Sequence, residues 1–167
     1  TFYAGLNSFV LLSIPMFILM GMAVANSPAG KDLYTGLDRW LWRVPGGLVI
    51  SNIGACSIFA ALSGSSPATC AAIGTMGIPE MRKRGYSDQI ATGTIAAGGT
   101  LGVLIPPSIV LIVYGMATGT SIGRLFLAGI VPGFMLASLF AVWALIHSYF
   151  IDKNAAKLLR NRKPPTL

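Results

Sequence analysis

Charge is scarce in this sequence, and acid is scarcer still. Only 10% of the residues are Asp, Glu, Lys or Arg, 54% are hydrophobic, and mean hydropathy is +0.71. Soluble domains carry about a quarter charged residues. A single water-soluble core is therefore excluded, and an all-α membrane protein is expected. The five acids, Asp32, Asp38, Glu80, Asp88 and Asp152, all lie outside the long apolar blocks. Histidine occurs once, as His147, near the end of the last block. Proton relays inside membranes use intramembrane carboxylates or histidines, so a proton mechanism is poorly served here. Cysteine occurs twice, as Cys56 and Cys70, in apolar or small-residue surroundings that suit neither a disulfide framework nor a metal site. No Ser/His/Asp set and no His/Cys cluster falls at membrane depth. Neither a rhomboid-like nor a zinc-type protease is expected, the chain is not read as an enzyme, and no organic cofactor is implied.

What remains is apolar and comes in blocks. Residues 9–25, 48–62, 90–101, 109–117 and 125–151 contain no charge. The chain opens on Thr1 just before the first of them and reads as a fragment or a processed chain. A cleaved signal peptide is not expected, because no basic segment precedes that block. The net charge of +7 could suit nucleic acid, but the basic residues sit in short flanks between apolar blocks, as membrane topology requires.

Those flanks test the topology. Lys31, Arg39 and Arg43 follow the first block, Arg82, Lys83 and Arg84 the second, Arg124 the fourth, and Lys153, Lys157, Arg160, Arg162 and Lys163 the last. If segment 48–79 enters the membrane and returns to the same side, eleven of the twelve basic residues share one side; if it crosses once, the split is four against eight. The positive-inside rule favours the first arrangement and puts the basic side in the cytoplasm. At 32 residues the segment is also short of the ~40 that two full crossings need. A re-entrant helical hairpin is expected, with its tip at Ser63-Gly64-Ser65-Ser66-Pro67-Ala68-Thr69. Serine suits an N-cap, and Pro67 suits the first turn of the returning helix. Residues 31–43, with Tyr34, Trp40 and Trp42 among charges, read as an interfacial helix that ends at Pro45-Gly46-Gly47.

A second interruption is expected inside 89–118. Pro106-Pro107 removes two amide donors, and Gly98, Gly99 and Gly102 weaken helix before it. Two half-helices separated by an unwound stretch from about 98 to 107 follow, then a turn near 118–124 and one long span over about 122–150. Irregular backbone in hydrocarbon survives only where it is buried or lines a polar cavity, and broken helices form ion and substrate sites in secondary transporters. With no acid at that depth, the oxygens on offer are neutral: Ser63, Ser65, Ser66, Thr69, Thr100, Ser108 and freed carbonyls. Hard cations take such ligands, and sodium is the natural candidate. The competing reading is close packing, since small residues also let membrane helices approach one another. It makes the chain a scaffold subunit that does not transport.

At these motifs the sequence resembles the large membrane subunit of tripartite ATP-independent periplasmic (TRAP) transporters, the DctM-like permeases. The resemblance is carried by the tip and the following Ala71-Ala72-Ile73-Gly74, then Met81-x-x-Arg84-Gly85-Tyr86, then 98–108. It implies one of two inverted repeats in an ion-transporter-like architecture. It also implies sodium-coupled, elevator-type uptake of a small organic anion such as a C4-dicarboxylate or sialic acid across the bacterial inner membrane. A small membrane subunit and a periplasmic substrate-binding protein would be the partners. A related carboxylate symporter working without a binding protein is the alternative. Carried over by motif, a sodium ion would sit at Ser63, Ser66, Gly102, Ile105 and Pro107, with Gly102 and Ile105 acting through carbonyls. Ser65, Thr69, Gly99, Thr100 and Ser108 would line the substrate side. On this reading the chain divides into a scaffold span with an interfacial helix (1–47), a transport region (48–121, with hairpin 48–79 and broken helix 89–118), a spanning helix (122–151) and a basic cytoplasmic tail (152–167).

Overall fold

The computed structural model describes residues 9–41 and 46–150. Trp42, Arg43, Pro45 and the basic tail at 152–167, on which expectations were placed, lie outside the described residues. Every element among the described residues is a helix: α1 (Phe9–Ala25), α2 (Ala29–Trp40), α3 (Gly47–Ser63), α4 (Ser66–Lys83), α5 (Asp88–Leu104), α6 (Ile109–Thr118) and α7 (Ile122–Phe150). Two stretches are long and apolar enough to cross a membrane, Asp88–Thr118 (α5 with α6) and Ile122–His147 in α7. This is the helical architecture expected of a membrane protein.

Local chemistry sets the boundaries. Gly46 and Gly64 take left-handed φ values of 72° and 61° and bracket α3, a conformation open to glycine at little cost. Ser65 then caps α4 in extended conformation, with Pro67 in the first turn. α4 runs on through Pro79 to Lys83, four residues beyond the limit of 79 expected for the hairpin.

α3 and α4 form an antiparallel hairpin. Asn52, early in α3, donates to Met81 Sδ, late in α4, at 2.7 Å. α5 packs along both arms. Phe59, Ile73, Met81 and Leu101 are fully buried in this three-helix core. Burying each such side chain away from water is worth about 1.5–3 kcal/mol, though in lipid only the tighter van der Waals packing counts. α7 packs against α3, α5 and α6 by one face and leaves Leu127, Val131 and Phe134 about 70% exposed on another.

α2 lies against the hairpin by Tyr34 and Leu37 and exposes Lys31, Asp32, Arg39 and Trp40. Its anchor is an ion pair that no spacing foretells. Arg84, just past α4, donates to both Asp38 carboxylate oxygens, at 3.0 and 2.6 Å, and to Glu80 at 2.9 Å. Burial works against the Arg84 charge, but the hydrogen bonds to Asp38 and Glu80 outweigh it and hold its pKa above the ordinary value. Charge-assisted bidentate bonds are the stronger kind. Arg84→Ala in the full-length protein is expected to cost about 1–3 kcal/mol, seen as a lowered midpoint of thermal unfolding in detergent. Lys83→Ala should shift it far less, because Lys83 Nζ stands 3.9 Å from Glu80 on a 75% exposed side chain.

Candidate functional site

The hairpin tip and the helix break meet. Ile109, at the start of α6, donates its amide to Gly64 O at 3.1 Å. A Cβ placed on Gly64 would stand 2.6 Å from Pro107 O. One placed on Gly102 would stand 2.8 Å from Ser66 N and 2.9 Å from Ser65 C. Gly99 lies against Cys70 and Ser66 O, and Gly98 against Cys56. The glycines that weaken helix propensity thus serve as contact points, and α5 stays helical through all of them to Leu104. The irregular stretch is 105–108, shorter than the expected 98–107, because the packing of α5 on the hairpin offsets a glycine cost of about 1 kcal/mol per residue. The Pro106-Pro107 peptide bond is cis.

The break leaves carbonyls without their helical donors. Ile105 donates its amide to Leu101 O at 2.8 Å. The next two residues are prolines and have no amide hydrogen, so the carbonyls of Gly102 and Val103 lack their i+4 donors. Val103 was not among the expected ligands, although the proline four residues on is its signal. Gly129 and Gly133 of α7 were missed too. Each admits the break at close range, Gly129 facing Leu104 O and Gly133 facing Ile105.

The hydroxyls divide into two groups. Ser63 and Thr69 are buried and bonded to each other at 3.1 Å, and Thr69 also donates to Ser65 O at 2.8 Å. Ser65 caps α4 by a long contact from Ala68 N at 3.5 Å. Thr100 is exposed and donates to Ala97 O at 2.6 Å. Ser66 Oγ and Ser108 Oγ are buried and have no partner. A buried hydroxyl without a partner costs about 1–3 kcal/mol and calls for an explanation. Here one stands on the tip and the other on the break. Gly102 thus meets Ser66 and Gly64 meets Pro107, with Ser63 next to Gly64 in the chain, while Ile105 turns its side chain toward α7 and Thr100 is exposed.

Four helix ends converge on this seam. α3 and α5 end there and present carbonyls; α4 and α6 begin there and present amides. Carboxyl ends of helices favour cations, and amino ends favour anions. Among the described residues no group of His, Cys, Asp or Glu is placed to hold a metal ion. Among the described residues, the oxygens gathered at the seam are those of Ser63, Ser65, Ser66 and Ser108 and of the main chain, all neutral.

Interrupted helices meeting inside an apolar bundle are an architecture found in membrane transport proteins. Residues 1–164 match the family model described as the tripartite ATP-independent periplasmic transporter, DctM component, and the chain belongs to that family. It is 46% identical over 144 residues to the C4-dicarboxylate TRAP transporter large permease protein DctM of Vibrio cholerae, covering 86% of this chain and 32% of that protein. It is 45% identical over 134 residues to the protein of the same description from Pseudomonas aeruginosa, covering 80% of this chain and 31% of that one. It is 40% identical over 152 residues to the isethionate TRAP transporter permease protein DctMQ of Oleidesulfovibrio alaskensis, covering 91% and 23%. The chain thus spans about a quarter to a third of the length of these relatives.

Proposed function

We propose that this chain supplies one repeat of the translocation core of a sodium-coupled importer of small organic anions in the bacterial inner membrane. The observation that carries the proposal is the seam, where two carboxyl ends, two amino ends and the unpartnered hydroxyls of Ser66 and Ser108 converge. Sodium is held by Ser66, the Gly102 carbonyl and neighbouring oxygens of Ser63, Ile105 and Pro107. The anion approaches the amino ends, with Ser65, Thr69, Gly99, Thr100 and Ser108 on its side. The substrates in the names of two relatives, a C4-dicarboxylate and isethionate, support a small organic anion as the substrate class.

The hairpin is re-entrant on this reading. α3 has 17 residues, about 26 Å of helix, against a hydrocarbon core of about 30 Å. α4 is similar in length, but its last turn carries Glu80, Arg82 and Lys83 and so stays at the surface. The basic flanks then share the cytoplasmic side. The partners are a small membrane subunit and a periplasmic binding protein, and access alternates by an elevator-type displacement of the hairpin with α5 and α6.

The test is uptake by the complete transporter in proteoliposomes. The substrate is first identified by screening the binding protein against organic acids. Replacing external sodium with choline is expected to reduce initial uptake by at least about tenfold. Undiminished uptake without sodium, driven by a proton gradient, would overturn the cation assignment. Undiminished uptake without the binding protein would move the chain to the class of carriers that need none.

A further inference from the structure

A cavity of about 470 Å³ opens beside the ion pair that joins α2 to the hairpin and shares no lining residue with the seam. Cavities of about 300–1,000 Å³ hold small ligands. Lys31 and Arg39 of α2 line it with Lys83 and Arg84, and the acids on its wall are Asp38 and Glu80. Four cations thus face two carboxylates. Arg84 engages both acids, at 2.6 Å to Asp38 and 2.8 Å to Glu80. Lys83 touches Glu80 only at 3.9 Å. Lys31 and Arg39 form no ion pair among the described residues. The surplus charge is positive and unspent.

Tyr34 adds a second, independent sign. It lines the cavity, is only 6% exposed, and its hydroxyl has no hydrogen-bond partner. Burial, with the Asp38 charge next in effect, raises its pKa, so the phenol keeps its proton and remains a donor. The surroundings therefore offer positive charge and an unused O–H, which is the complement of an anionic oxygen. The remaining observation is place. α2 carries Trp40, 79% exposed, among Lys31 and Arg39, the composition of a helix lying at a membrane surface. Basic pockets at that level face lipid headgroups.

We propose that this cavity is a binding site for a phosphate group, with Lys31, Arg39 and Lys83 supplying charge and Tyr34 a hydrogen bond. Two sources carry that chemistry: the headgroup of an anionic phospholipid and a soluble phosphate. The site is separate from the ion seam, and the test reads binding, so its failure leaves the transport reading untouched.

Full-length protein in neutral detergent is titrated with dioleoylphosphatidylglycerol, dioleoylphosphatidylcholine or inorganic phosphate. Retained lipid is read by native mass spectrometry, and the shift of the unfolding midpoint is read in parallel. Phosphatidylglycerol is expected to be retained several-fold better than phosphatidylcholine. The double variant Lys31→Gln, Arg39→Gln changes two exposed side chains and should fold; it is expected to weaken phosphatidylglycerol binding about tenfold or more. Tyr34→Phe keeps the ring and removes the donor, and should weaken binding by about threefold. Stabilisation by inorganic phosphate alone, lost in the double variant, supports the site and assigns it to a soluble phosphate. No stabilisation by either phosphate source, or equal binding by wild type and double variant, overturns the proposal.

Discussion

Uptake by the full-length transporter is expected to vanish when Gly102 is replaced by leucine. Any side chain there would enter space held by Ser66 N, Ser65 C and Ser66 Cα, the nearest of them 2.8 Å from the position of a Cβ. All three neighbours are main chain, so none can rotate aside as the end of a flexible side chain would. Overpacking of this kind costs about 1–3 kcal/mol even for a methyl group. Leucine also separates the tip from the break by more than an ion ligand's reach. Gly102→Ala should retain a fraction of the activity, about a tenth. Gly36→Ala is the control, since nothing lies within 4 Å of that position. Transport assays run beside membrane yield and size-exclusion profiles separate lost function from lost protein. Wild-type uptake by Gly102→Leu would show that tip and break need not touch.

Ser66→Ala is expected to raise the half-saturating sodium concentration about tenfold, equivalent to about 1.4 kcal/mol for one lost ligand. The close-packing reading forecasts the opposite sign in a different observable. If Ser66 Oγ never meets a ligand, it is a buried hydroxyl without a partner, and removing it should stabilise the protein and leave the sodium dependence unmoved. Ser57→Ala provides the comparison, because that hydroxyl already bonds Ile53 O at 2.7 Å within its own helix. Measuring sodium titrations of uptake and unfolding midpoints for both variants decides between the two. A more stable Ser66→Ala protein with an unchanged sodium curve would remove this residue from the ion site.

The hairpin was legible because its signals are local. The turn falls at the Gly64-containing tip, and Ser65 and Pro67 open α4 where capping preference puts them. The break was legible in kind but not in extent. Propensity alone counts Gly98, Gly99 and Gly102 against helix, whereas their roles against Cys56, Cys70 and Ser66 depend on a partner segment tens of residues away. The hairpin's second arm runs on to Lys83, past the 48–79 expected for the segment. The Asp38–Arg84 pair, 46 residues apart, left no trace in spacing. Within the site, Ser66 was named for the sodium ion and Ser108 for the substrate side, and neither reading anticipated that these two hydroxyls would be buried without a partner.

The seam between tip and break is made almost wholly of main chain: the Gly64 carbonyl on the Ile109 amide, the Pro107 carbonyl over Gly64, and the Gly102 backbone on Ser65 and Ser66. A scan that truncates side chains one at a time would therefore pass through it and register little, for most of the groups that matter have nothing to truncate. The informative experiments add atoms. Methyl groups introduced at Gly64, Gly99 and Gly102, or an amide hydrogen restored by exchanging Pro106 or Pro107, would chart the seam as an alanine scan charts an ordinary pocket.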